Sequence, residues 1–377
     1  MTDITLMSTE RRAFAQYLPT LQKALTGRSL LDLEARGSDA LALFKVSDAP
    51  ALTVPVEMGG LGASALESTR IHRAIGALSP SLGAAATMHH LSIATLIEHS
   101  RGGTQAERDL IAGLVAARTV IASGFSEGKP GGSAFKPTVT ARPVEGGYLV
   151  NGRKQPCSLS KSMDLLTASV AKATATGDDR RGVIVIPAAT PGISVEQFWT
   201  TDILAAAESD TVLLTDVFVP AELVFWDDVD DPTGQHLKTG YVWFGLLISA
   251  TYIGAASALL ERLLNHGKAE PLFYLQAACE VEAAMSSIEG IARAFDAGDR
   301  SDELSARLLF CREALKASLR RSVAAAAEAL GGIDFIRSPE IAYLVSAVQA
   351  ASFHPPSKKS AAESLLSFHS GGQFTFT

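Results

Sequence analysis

A chain of 377 residues, 47% hydrophobic and 19% charged, can bury two or three domain cores and is too apolar to be disordered. Its 33 basic and 40 acidic side chains leave a formal charge of −7, and without a run of Lys or Arg it has no general attraction for nucleic acid. Three scattered cysteines (Cys157, Cys279, Cys311) exclude a disulfide framework or zinc ribbon, so no metal is expected and a reducing cytoplasm is the expected setting.

The opening MTDITLMSTERRAFAQYL carries acidic and basic residues where a signal peptide needs an apolar core. Apolar residues at three and four spacings predict helices over 11–25, 65–77, 84–98 and 106–117. Near Ile121 the period changes. TVTARPVEGGYLVNGRKQ places a Gly-Gly turn between two β-rich runs, the pattern of a hairpin. LLTASVAKA, GVIVIP and TVLLTDVFVP continue as strands, punctuated by Pro187, Pro191 and Pro220. Residues 227–233 form an acidic, proline-containing linker, after which helices return. Residues 240–260 carry no charge over 21 positions, enough to span a membrane. Standing alone and rich in small residues, the stretch reads instead as a central helix buried on all sides, and no membrane association is expected. Helices over 272–296, 301–330 and 339–352 complete a set of four, which suggests a bundle. The expected class is α+β: an N-terminal helical domain (1–120), a central β domain (121–228) and a C-terminal helical bundle (229–377). No GxGxxG follows a strand, and there is no Walker loop or repeat.

Five segments in this order resemble the acyl-CoA dehydrogenase superfamily: PVEMGGLGAS (55–64), FSEGKPGGSAF (125–135), YLVNGRKQPCSLS (148–160), VLLTDVFVP (212–220) and EALGGIDF (328–335). The resemblance implies a helical domain, a β-barrel-like domain and a four-helix bundle, with a flavin between the last two. It also implies an acyl-CoA or acyl-carrier-protein substrate and a homodimer or homotetramer. By the same resemblance Phe125 and Ser126 line the isoalloxazine, and Ser133 contacts a cofactor phosphate or the acyl carrier. Ser158 bonds the flavin N5, and Gly331 and Gly332 form a turn near the cofactor. Cys157 reads as a packed small side chain rather than a nucleophile.

The departures matter as much. The family's base is a Glu in Tyr-Glu-Gly-Thr, over which Phe353-His354-Pro355-Pro356 falls here, so His354 stands where the carboxylate would be. The alternative family position, on the first bundle helix, reads WFGLLISA with Gly245 near the expected place. Three readings follow. His354 is itself the base, since imidazole titrates near neutrality; or Glu340 or Glu363 enters the site; or the chemistry is that of the two-component flavin monooxygenases of this fold. In the last reading His354 supports oxygen activation, with His89 and His90 as oxygen-activating candidates and Ser158 completing the polar set. The family's phosphate-facing Arg residues are missing, with Lys268, Glu328 and AAAES (205–209) near those positions. The resemblance implies FAD; the missing Arg residues argue for weakened FAD binding and leave FMN or no flavin as alternatives. The leading expectation is α,β-dehydrogenation of an acyl thioester. The others are monooxygenation and a redox-inactive subunit paired with an active paralogue.

Overall fold

A computed structural model describes residues 6–100, 105–129, 136–172, 180–226, 235–267 and 269–375. Ser133 and Lys268 lie outside these residues. The N-terminal region contains α1 (Ser8–Tyr17), α2 (Pro19–Leu25), α3 (Leu30–Glu34), α4 (Ala40–Val46), α5 (Ala65–Leu78), α6 (Pro80–Ser100) and α7 (Gln105–Ala116). The helix expected over 11–25 is two, because Pro19 removes a backbone donor and starts a new helix. At the end of PVEMGGLGAS, Ser64 and Glu67 form a reciprocal capping box that starts α5.

Strands follow: β1 (Ile121–Gly124), β2 (Thr140–Val144), β3 (Gly147–Cys157), β4 (Leu165–Lys172), β5 (Arg180–Pro187), β6 (Ile193–Glu196), β7 (Asp210–Pro220) and β8 (Val224–Trp226). They form one sheet in the order β6-β7-β3-β2-β4-β5-β8, with β1 pairing parallel to β4. The Gly-Gly hairpin joins β2 to β3, where Gly146 takes the left-handed conformation the turn needs. The last region holds α8 (Gln235–Asn265), α9 (Pro271–Asp296), α10 (Asp302–Leu330), α11 (Gly332–Arg337), α12 (Pro339–Gln349) and α13 (Lys358–His369). The tail HSGGQFTFT forms no strand in its described part; Phe374 is buried against Leu309, Ala361 and Leu365.

The apolar helix α8 is long enough to cross a membrane, but 94% of its apolar window is buried inside the protein. It packs against α9, α10 and α12 of its own bundle and also against α5 and α6. The bundle and the N-terminal helices thus share one core. Glycine makes that crossing close: a Cβ on Gly254 would lie 2.1 Å from the Arg73 carbonyl oxygen, and one on Gly76 would lie 2.2 Å from that of Thr251. Gly254→Ala is therefore expected to cost about 3 kcal/mol or more, because backbone rather than a flexible side chain must move. Urea unfolding checks this, and a cost under about 1 kcal/mol would mean that the two helices are not held this closely.

Candidate active site

Two groups of polar residues stand out, one at the end of the sheet and one in the bundle. The first is built on the loop after β1. Lys154, with no exposed side-chain surface, points from β3 to Glu127 at 2.8 Å and to the Ser169 hydroxyl at 3.0 Å. Glu127 also accepts from the Thr138 and Val139 backbone N–H groups. Burial pushes the Glu127 carboxyl up, but Lys154 and Thr138 outweigh it and hold it at about 2. A buried pair satisfied this fully fixes its loop. The Gln155 N–H then donates to the Ser126 carbonyl at 2.9 Å, and the Thr211 hydroxyl donates to Gln155 at 2.9 Å. The two family motifs are thereby locked together through residues whose partnership their spacing, 27 positions apart, does not reveal.

That lock presents hydroxyls. Ser158 and Ser209 lie 2.9 Å apart, so the stretch AAAES contributes a partner to Ser158. Ser126 and Phe125 are half-buried, and the Ser126 hydroxyl makes no hydrogen bond among the described residues. Cys157 is fully buried, which pushes its thiol up to about 12 and makes it a packing residue.

The second group is a cleft between α8 and α10. It is lined by Ile248, Ser249, Tyr252, Arg312, Leu315, Lys316, Ala351 and His354. The His354 ring meets the Tyr252 hydroxyl through Nε2 at 2.6 Å and packs against Phe244 at 6.0 Å between centroids. Loss of water around the ring, reinforced by Arg312 and Lys316, lowers His354 to about 3, so the imidazole is neutral at physiological pH. Burial raises the Tyr252 phenol, which keeps its proton.

Among the described residues, no carboxylate lines this cleft. Glu340 is paired with Arg262, and Glu363 lies near Lys359 on the surface of α13. At the alternative position a Cβ on Gly245 would lie 2.6 Å from the Leu308 side-chain tip, which would have to move to admit a side chain. His354 is the imidazole of this cleft, beside Tyr252, Arg312 and Lys316.

His89 and His90 take a different place from the one expected. Both are buried. His89 donates from Nε2 to the Pro50 carbonyl at 2.8 Å and accepts from the Ile121 N–H at 3.0 Å. His90 donates from Nε2 to the Ala49 carbonyl at 2.9 Å, and its Nδ1 lies 2.9 Å from Nε2 of His72, a residue not singled out by sequence. Every ring nitrogen of the pair has a partner within the protein, and neither residue lines the cleft that holds His354. Gly331 ends α10 with a φ of 90°, a turn only glycine takes freely, and neither it nor Gly332 touches Ser158 or His354.

No family model matches the chain. It is 42% identical over 359 residues to isobutylamine N-hydroxylase of Streptomyces viridifaciens, covering 94% of this chain and 95% of that one. It is 28% identical over 222 residues to mitochondrial isovaleryl-CoA dehydrogenase of Arabidopsis thaliana, covering 57% and 52%. Among solved structures, FMN-bound TdsC from Paenibacillus sp. superposes with a TM-score of 0.82 at 16% identity, covering 99% of both chains.

Proposed function

Because this chain belongs to the acyl-CoA dehydrogenase-like flavoenzymes, we propose that it is a flavin-dependent monooxygenase that N-hydroxylates a primary amine. This places second the thioester dehydrogenation that the motifs suggest first. The carrying observation is the cleft itself: a neutral imidazole held by Tyr252, two cations and, among the described residues, no carboxylate. A base whose conjugate acid titrates near 3 is poorly matched to removing a carbon-bound proton. The same surroundings suit an amine. The burial that keeps the His354 ring neutral also disfavours a bound ammonium and so favours the free base, whose lone pair is the nucleophile. The similarity to an amine N-hydroxylase over nearly the whole chain supports this reading.

The residues after β1 and at the end of β3 fit a flavin. They offer the Ser126 hydroxyl, which has no partner among the described residues, the Ser158–Ser209 pair and the Phe125 ring on a loop fixed by Glu127 and Lys154. These are the groups that would hold FMN or FAD, and solved structures of this fold carry either one. Reduced flavin, when bound, supplies two electrons to dioxygen, so that one oxygen atom goes to the amine nitrogen and the other leaves as water. His354 holds a proton at a ring nitrogen beside the reacting group, and Tyr252 fixes the orientation of that ring. The buried Phe244 ring packs edge-on against the His354 ring and helps keep water from it.

Anaerobic titration of the flavin-loaded protein with a panel of acyl-CoA thioesters is expected to leave the flavin oxidised. Aerobic incubation with a reductase, NADH and primary alkylamines is expected to yield hydroxylamines. Bleaching by a thioester, with no hydroxylamine formed, would reverse the reading.

A further inference from the structure

Arg312 is 2% exposed, yet no carboxylate among the described residues lies within ion-pairing distance of it. Both of its hydrogen bonds leave from Nη1, to the Tyr241 hydroxyl at 3.1 Å and to the Pro355 carbonyl at 2.9 Å. Nε and Nη2 make none. Its plane packs near the Phe244 ring, 4.9 Å from the centroid, which holds the guanidinium in place without neutralising it. The neighbouring Lys316 is already paired with Glu313. The cleft wall therefore carries one uncompensated positive charge, and a buried charge of that kind costs several kcal/mol unless an anion meets it.

We propose that the Nε and Nη2 edge of Arg312 is a carboxylate-binding fork beside His354, so that the amine accepted here also carries a carboxylate. The proposal rests on the amine N-hydroxylase reading and narrows its substrate class to amino acids. Two parallel N–H donors on one edge match the two oxygens of a carboxylate. A single unpaired charge matches a monoanion rather than a phosphate dianion. The cleft has a volume of about 10 Å³, room for one oxygen-sized group. The amine end would then extend from the fork toward the His354 side of the same cleft.

The site is tested first without turnover, by calorimetric titration of the protein with acetate against chloride at constant ionic strength. Saturable acetate binding that chloride does not reproduce, and that is lost in Arg312→Met, is expected. Arg312→Lys keeps the charge without the fork and is expected to weaken acetate binding by at least about 10-fold, the worth of a charged hydrogen bond. Equal binding in wild type and Arg312→Lys, or none in wild type, overturns the fork. The second arm compares kcat/KM for an ω-amino acid and the alkylamine of equal chain length. A preference of at least about 10-fold for the amino acid, falling to near unity in Arg312→Lys, is expected. Preference for the plain alkylamine overturns the substrate assignment. If no amine is hydroxylated, the functional reading fails, while the acetate titration still decides the fork.

Discussion

Lowering the pH from 7.5 to 5.0 is expected to remove about 6 kcal/mol of folding stability through three histidines alone. His72, His89 and His90 are each at most 1% exposed, and their rings stack edge to face with one another and with Phe44. Burial lowers His72 to about 3 and His89 to about 4, and it lowers His90 well below the ordinary range. The hydrogen bonds give the same answer independently. A proton added to His89 Nδ1 would face the Ile121 N–H, and one added to His90 Nδ1 would face the His72 N–H. In the unfolded chain each ring titrates near 6.5, so below that pH the unfolded state binds more protons and stability falls as pH falls. At pH 5.0 each ring contributes about 2 kcal/mol of loss, a large share of the stability of an ordinary domain. Urea unfolding at the two pH values checks this. A midpoint that holds steady between them would mean that the cluster is hydrated or already charged.

His354→Ala is expected to lower amine turnover roughly 100- to 1000-fold, the usual worth of one positioned proton donor. His354→Asn restores an N–H at a similar place and is expected to recover part of the loss. Tyr252→Phe leaves the ring without its 2.6 Å partner and is expected to cost about 10-fold. Because His354 is neutral at every pH above about 3, it contributes no inflection to the rate between pH 5.5 and 9. An inflection near 6.5 that vanishes in His354→Ala would contradict the role assigned to the ring and restore it as a titrating base.

Much of the architecture could be read from one sequence because the signals were local. The change of period near Ile121, the Gly-Gly hairpin and the uncharged stretch over 240–260 each reflect a few neighbouring residues. Short helices were not readable for the same reason. α3 and α4 are five and seven residues long, shorter than the window a helical period needs, and they are held by tertiary packing. At the site, the resemblance singles out His354, but nothing in the sequence marks its partner. Tyr252 sits in an apolar helix where any aromatic residue reads as core. The Glu127–Lys154 pair lay inside two quoted motifs, yet only the fold brings them together. Adjacent histidines such as His89 and His90 suggest chemistry, but no sequence pattern marks their partners, which are backbone atoms and the His72 ring. The missing counter-ion of Arg312 is a property of three-dimensional surroundings alone.

The central claim is that the cleft oxygenates an amine rather than desaturating a thioester. Its most direct test is turnover under ¹⁸O₂ with reduced flavin supplied by a reductase, followed by mass spectrometry of the amine product. A hydroxylamine carrying one ¹⁸O atom, formed by wild type and strongly reduced in His354→Ala, is the expected result. An unlabelled product, or an enoyl thioester formed from an acyl-CoA without oxygen incorporation, would contradict it.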